Sequence, residues 1–105
     1  MTMNLDILEI EHYFSNGLYA KRMVIDKGLT VGTHKHNFAH LSIVASGVVR
    51  VECDKTSRVY EAGECVEIAA GVEHRIIALE DSIWFCLHAT NETDSELIDE
   101  TLIKA

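Results

Sequence analysis

Gly28–Gly47 reads GLTVGTHKHNFAHLSIVASG, and Gly63–Ala78 reads GECVEIAAGVEHRIIA. Both are apolar runs bounded by glycine, and the chain between them alternates, with Val49 and Val51 on one face of an extended strand and Arg50 on the other. Further short apolar runs recur before and after these two stretches, at a spacing of about ten residues. This pattern predicts an all-β sandwich or barrel, and the lack of a helical period argues against a βαβ fold.

The predicted strands end at Gly, Asp, Asn or Ser, which supply the turns because the chain has no proline. They cover residues 18–26, 38–45, 48–53, 58–60, 65–69, 75–79 and 83–89. The last two strands, separated by Glu80-Asp81-Ser82, predict a hairpin.

The C-terminal tail has a different pattern. Thr93 or Asp94 is a candidate N-cap for a short helix that carries Leu97 and Ile98 on one side. A helix of about ten residues is marginal alone and needs a surface to dock on. An added edge strand through residues 101–104 is the alternative.

Size and charge limit the classes of function. The 105 residues suit one domain spanning 1–105, and nine basic against seventeen acidic residues give a formal net charge of −8. Such a chain is repelled by nucleic acid and by anionic membranes, and Lys21-Arg22 is its only adjacent basic pair. No apolar run is long enough to span a bilayer, and the N-terminus lacks the basic start of a signal peptide. We therefore expect a cytoplasmic protein that binds neither nucleic acid nor membrane.

Four of the six histidines have a spacing typical of metal ligands. His34 and His36 are two residues apart, so both point to the same side of an extended strand, and His40 has the same parity. His74 follows a glycine turn, as a ligand from an antiparallel strand would. Imidazole is the side chain that most often binds Zn, Cu, Fe and Ni in proteins. Taken singly, a histidine on a strand is more often a surface residue or a hydrogen-bonded core residue than a metal ligand, so the prediction depends on the four together.

The first stretch resembles the first motif of the cupin superfamily, G-x5-H-x-H-x3,4-E-x6-G. Gly28, His34, His36 and Gly47 fall at its places. His40 stands where the family usually has glutamate.

The second stretch resembles the second cupin motif, G-x5-P-x-G-x2-H-x3-N. Gly63, Gly71 and His74 match it, whereas Ala69 replaces the proline and Ala78 replaces the asparagine. The asparagine is a polar group near the site in the family pattern, so its loss can remove a substrate contact.

The resemblance implies a single cupin domain, a double-stranded β-helix or jelly-roll barrel, with its motifs at 28–47 and 63–78. The change from glutamate to histidine looks like the small four-histidine cupins, which are often homodimeric and manganese-binding. One divalent metal (Mn, Fe, Ni, Zn or Cu) would then lie on His34, His36, His40 and His74. Four neutral imidazoles leave such a metal with a charge of about +2, which attracts anionic chelating ligands.

Two functions remain open. The first is a metal-dependent oxidoreductase, dioxygenase-like or isomerase-like, acting on a small anionic chelating substrate. The second is a metal-dependent small-molecule binding or sensor cupin without turnover. The residues name no general acid or base for the first of these.

The pocket walls follow from strand parity. Phe38 shares the face of the first ligands, and Ile76 and Ala78 share that of His74. On the last strand, Trp84 and Cys86 would be unusual as a solvent face, so we expect them to line the cavity. Their neighbours Ile83, Phe85 and Leu87 look like ordinary core.

Two further histidines and three basic residues lie outside the predicted ligand set. His88 could support the site but is more typical of a surface or an interface, and His12 lies in a polar stretch expected to be exposed. Lys21, Arg22 and Arg50 could each reach a pocket mouth and bind a carboxylate. Each is more typical of a solvated strand residue, so none of the three is counted among the site residues.

Overall fold

A computed structural model of the protein describes residues 9–32, 39–53 and 55–98. In these ranges the chain forms nine strands and no long helix. They are β1 (Glu9–Ser15), β2 (Leu18–Ile25), β3 (Thr30–Gly32), β4 (His40–Ser46), β5 (Val48–Glu52), β6 (Ser57–Glu61), β7 (Cys65–Ile68), β8 (Arg75–Ala78) and β9 (Ser82–Ala89). The all-β prediction is confirmed. Within the described ranges, no helix has the length and apolar character needed to cross a membrane.

Two antiparallel sheets pack face to face. One has five strands in the order β1-β2-β9-β4-β7, and the other has four in the order β3-β8-β5-β6. A single buried cluster joins them, with Met23, Val44 and Trp84 from the first sheet and Val49 and Ile76 from the second. This two-sheet arrangement agrees with the predicted jelly roll.

The predicted hairpin between β8 and β9 is wrong. β8 pairs with β3 and β5, whereas β9 pairs with β2 and β4, so the chain crosses from one sheet to the other. Ser82 holds this crossing, since its Oγ accepts a hydrogen bond from the Val48 amide (3.1 Å) and donates one to the Glu80 carbonyl (2.7 Å). The polar turn signals a change of direction but carries no information about the pairing partner.

β1 was not predicted. It pairs with β2 from Glu9↔Val24 to Ser15↔Leu18. The two strands meet at Asn16-Gly17, where both φ angles are positive (44° and 83°), as a tight two-residue hairpin requires.

Both faces of β9 carry apolar residues, and the prediction for one of the two faces is wrong. Trp84 and Cys86 are buried on the inner face, as expected for cavity walls. Ile83, Phe85 and Leu87 are only half-buried on the outer face, so their assignment to the core is wrong. A central strand puts alternate residues on opposite faces, and here both sets are apolar.

The tail turns back on the barrel. Asp94 Oδ1 accepts a hydrogen bond from the Glu96 amide (2.8 Å), and the Asp94 carbonyl accepts from the amides of Leu97 and Ile98. Of the two candidate caps, Asp94 is therefore the one used. Ile98 is fully buried against Tyr19. The choice between a longer helix and an edge strand concerns residues 99–105, which lie outside the described ranges.

Candidate metal centre

Two of the four predicted ligands lie in the described ranges, and both are buried between the sheets. His40 is the first residue of β4, in the five-stranded sheet, and His74 immediately precedes β8, in the four-stranded sheet. Their exposed fractions are 8% and 7%. Both histidines lie at the end of the barrel opposite the Gly47 turn. His40 begins β4, which runs towards that turn, and the residue after His74, Arg75, pairs with Glu52 at the far end of β5.

The ring of His74 is held in one orientation by its own turn. Its Nδ1 lies 3.0 Å from the Val72 carbonyl oxygen. A carbonyl oxygen can only accept, so Nδ1 carries the hydrogen, and in the neutral ring Nε2 then carries the lone pair. Metal-binding histidines in proteins are commonly fixed in this way. The turn itself uses Gly71, whose φ of +74° is unfavourable for residues with a side chain.

His34, His36 and Phe38 lie outside the described residues. Within the described ranges, no three His, Cys, Asp or Glu side chains are grouped so as to hold a metal. Gly32, the last residue of β3, lies opposite Arg75 in the four-stranded sheet, and His40 begins β4 in the five-stranded sheet. The four-histidine site stays a prediction.

A row of rings leads from His40 across the inner face of the five-stranded sheet. The His88 ring centroid lies 4.1 Å from that of His40, and the Tyr19 ring is 6.0 Å from His88. His12 Nδ1 then lies 2.6 Å from Tyr19 Oη, with the two rings stacked.

This row corrects two expectations. His88 is 8% exposed and packs on His40, so its surface placement is wrong. His12 is half-buried and bonded to Tyr19, so its exposure is wrong as well. Tyr19 was not among the predicted site residues, although its parity with Met23 on β2 is a usable signal for a buried position.

The predicted pocket walls in the described ranges all face inward. Ile76 and Ala78 are each 1% exposed, and Trp84 is fully buried. Trp84 Nε1 donates a hydrogen bond to Cys86 Sγ at 3.1 Å. Whether these side chains border a metal stays a prediction.

The barrel interior is polar at the histidine end and carries no acidic side chain on the described strands. Lys21 lies between the buried Tyr19 and Met23 on the same, inner face of β2, and it pairs with Cys86 on β9. Ser42, on the other side of Cys86, is fully buried, and its hydroxyl makes no hydrogen bond within the described ranges. The acidic residues of the described strands occupy outward-facing positions: Glu9, Glu11, Glu52, Glu61 and Glu67.

A family model for the cupin domain matches residues 21–89, about two thirds of the chain. The chain belongs to the cupin family. The matched region begins within β2 and ends with β9, so it contains the whole four-stranded sheet, most of the five-stranded sheet and both buried candidate ligands.

Solved structures share this fold. A conserved protein of unknown function from Streptococcus pyogenes is 19% identical with a TM-score of 0.70, covering 86% of this cupin and 80% of that chain. KdgF from Halomonas sp. is 20% identical with a TM-score of 0.71, covering 83% and 82%. The cupin domain of an XRE family transcriptional regulator from Enterobacter cloacae is 13% identical with a TM-score of 0.68, covering 81% and 98%. No curated protein matches the sequence significantly.

Proposed function

We propose that this cupin holds one divalent transition metal on His34, His36, His40 and His74, as a manganese-type four-histidine cupin. The observation that carries the proposal is the burial of His40 and His74 on facing sheets at one end of the barrel. The hydrogen bond from His74 Nδ1 to the Val72 carbonyl supports it, because that bond leaves Nε2 as the atom for coordination. The donor set suits Mn, Fe, Ni, Zn or Cu.

Chain connectivity supports the two remaining ligands. His34 is two residues from Gly32, and Gly32 lies opposite Arg75, the residue after His74. Consecutive Cα atoms are about 3.8 Å apart, so the Cα of His34 lies within about 7.6 Å of that of Gly32. His36 is four residues from His40 in the chain, so the distance between these two residues is limited in the same way.

The charge of the interior favours an anionic ligand. Four imidazoles are neutral donors, and no acidic side chain on the described strands faces inward. When bound, a divalent metal would supply Lewis-acid or dioxygen-activating chemistry to a small chelating anion in this site. The protein side chains orient the ligand and exclude water: the His88 and Tyr19 rings support His40, while Trp84 and Ile76 form apolar walls.

We propose a dioxygenase-like oxidoreductase as the reaction class. A non-catalytic sensor is the second candidate, and two observations favour it. Ala78 replaces the asparagine of the second motif, and no carboxylate on the described strands is available as an internal base. One of the similar structures is the cupin domain of a transcriptional regulator.

Metal analysis tests the site. Protein purified without added metal and then titrated with Mn²⁺ or Ni²⁺ is expected to bind one equivalent. His34→Ala, His36→Ala, His40→Ala and His74→Ala should each weaken affinity by at least about tenfold. His12→Gln is the matched control, because His12 lies across the sheet on β1 and should keep full binding. Binding below about a tenth of an equivalent by folded wild-type protein rejects the metal site.

Oxygen uptake separates enzyme from sensor. The Mn-, Fe- and Ni-loaded forms are assayed with a panel of diketones and keto acids in an oxygen electrode. Metal-dependent uptake that is lost in His74→Ala supports the enzyme. Ligand-induced thermal stabilisation without oxygen uptake in any metal form rejects the enzyme in favour of the sensor.

We also propose that this cupin is a homodimer through the outer face of its five-stranded sheet. Tyr13, Leu87 and Leu41 form an apolar row there, beside a second row containing Phe85 and Ile43. Tyr13 and Leu41 are each 49% exposed. The outer face of an antiparallel sheet is usually polar, so an apolar centre indicates a covered surface.

Charge at the rim favours a second copy as the partner. The outer face carries both signs, with Arg22 Nη1 2.8 Å from Glu11 Oε1. In a two-fold contact through this face, Arg22 of one copy can face Glu11 of the other. A different acidic protein would lose this complementarity.

A further inference from the structure

A cavity of about 260 Å³ lies where the β5–β6 turn meets the start of β8. Glu52 and Arg75 occupy outward positions on these strands, because their neighbours Val51 and Ile76 are buried. The cavity therefore opens on the outer side of the four-stranded sheet, and none of its described lining residues is a candidate metal ligand. They are Glu52, Cys53, Lys55, Thr56, Ser57 and Arg75.

The turn that carries Lys55 is held by bonds between its two ends. The Cys53 amide donates a hydrogen bond to the Thr56 carbonyl (2.9 Å), and Cys53 Sγ lies 2.9 Å from Thr56 Oγ1. The strands on either side pair as far as Glu52↔Ser57. A turn fixed in this way lowers the entropy cost of binding a ligand between its side chains and β8.

Arg75 is held by Glu52 and keeps donors for a ligand. The two residues are directly opposite each other on β8 and β5, and Arg75 Nη2 donates a hydrogen bond to Glu52 Oε1 at 3.1 Å. A guanidinium has five N–H donors in a rigid fork, so this bond leaves others for a second acceptor. The Arg75 side chain is 66% exposed, so a small molecule can reach these donors.

Charge and size favour a small anion in this cavity. Lys55 and Arg75 each carry +1 and Glu52 carries −1, which leaves +1 on the described lining residues, among which Asp54 is not included. In a protein with a net charge of −8, an anion is held only where cations are concentrated locally. The volume is below the about 300–1,000 Å³ that is usual for drug-sized ligands, so the ligand is small.

The donors match a phosphate group better than a carboxylate. A phosphate monoester carries about two negative charges at neutral pH and has three acceptor oxygens, whereas a carboxylate has one charge and two oxygens. The guanidinium fork of Arg75, the mobile ammonium of Lys55 and the hydroxyl of Ser57 can each bind a different phosphate oxygen.

We propose that this cavity binds a dianionic phosphate group, with Arg75 and Lys55 on its oxygens and Ser57 donating a further hydrogen bond. The ligand class is a small phosphate ester or the free phosphate ion. This inference is independent of the proposed metal site, because the two have no described residue in common.

NMR titration of isotope-labelled protein at neutral pH tests the inference, with glycerol phosphate, inorganic phosphate and acetate as probes. Saturable shifts are expected at the amides of residues 55–57 and Arg75, with phosphate probes binding at least about threefold more tightly than acetate. Lys55→Gln and Arg75→Gln should each weaken phosphate binding about three- to tenfold. Tighter binding of glycerol phosphate supports the ester, and tighter binding of inorganic phosphate supports the free ion.

Lys27→Gln is the matched control, because it removes one positive charge from an exposed turn beside Asp81 and should change the affinity by less than about twofold. Glu52→Gln removes the negative charge from the cavity and should strengthen phosphate binding about two- to fivefold. Shifts confined to other residues, equal affinity for acetate, or phosphate binding that is unchanged in both Lys55→Gln and Arg75→Gln overturns the site. A chain that takes up no metal but still binds phosphate here would refute the proposed function alone.

Discussion

Gly47, the last glycine of the first motif, is the position where a single methyl group should disturb the barrel most. Its φ is +86°, and a Cβ placed there would collide with Ser82 Oγ and the Asp81 carbonyl and lie 2.7 Å from Ser82 Cα. Two of these three neighbours are backbone atoms. Gly47→Ala therefore forces the chain crossing between the sheets to move.

The expected cost has two parts. The left-handed backbone conformation costs a residue with a side chain about 1–2 kcal/mol. Displacing well-packed neighbours adds about 1–3 kcal/mol, which gives a total of about 2–5 kcal/mol in the free energy of unfolding. In a domain of this size, each kcal/mol corresponds to about 4–8 °C in Tm, so we expect a fall of about 8–40 °C.

Gly63→Ala is the matched control for this measurement. Gly63 has nearly the same backbone angle, with a φ of +92°, but nothing lies within 4 Å of a Cβ built there. It should lose only the backbone contribution of about 1–2 kcal/mol. Guanidinium chloride unfolding of both variants measures the difference, and equal losses would refute the close approach of Ser82 to Gly47.

Three further substitutions probe the interior and the outer face. Tyr19→Phe removes the 2.6 Å hydrogen bond to His12 and should cost about 0.5–1.5 kcal/mol in urea unfolding without changing metal stoichiometry. Cys86→Val leaves the buried Trp84 Nε1 without its acceptor and should cost about 1–3 kcal/mol, whereas Cys86→Ser keeps an acceptor and should cost less; similar losses would contradict the bond. Leu41→Glu, at a half-exposed outer position, should halve the mass in light scattering while changing monomer stability by less than about 0.5 kcal/mol. An unchanged dimer would place the interface elsewhere.

Strand parity made two of the three buried histidines of the described ranges predictable. A period of two assigns side chains to faces without any knowledge of which strands are neighbours. His40 and His74 were therefore correctly placed on inward positions, as were Ile76 and Trp84. The glycines of the motifs were equally informative, because Gly47 and Gly71 have positive φ angles that other residues avoid.

Sheet order was not predictable in the same way, and the wrong predictions follow from it. His88 is buried because β9 lies between β2 and β4, in contacts that join residues far apart in sequence. The β8–β9 turn resembles a hairpin locally, yet the strands belong to different sheets. β1 was not predicted because the outward-facing Glu9 and Glu11 interrupt its apolar pattern. Its half-buried residues, His12 and Phe14, do not form a continuous apolar run.

His40 stands where the family usually has glutamate, and this replacement affects the charge balance of the whole interior. A glutamate ligand would bring its own negative charge, so a site built from neutral imidazoles must obtain that charge from the ligand. An interior without acidic side chains on the described strands, and with Lys21 on its inner face, has the composition that such a requirement predicts. Returning the charge with His40→Glu should therefore weaken anion binding at the proposed site even where the metal is retained. Tighter binding of 2-oxoglutarate by a metal-loaded His40→Glu variant would contradict this account of the exchange.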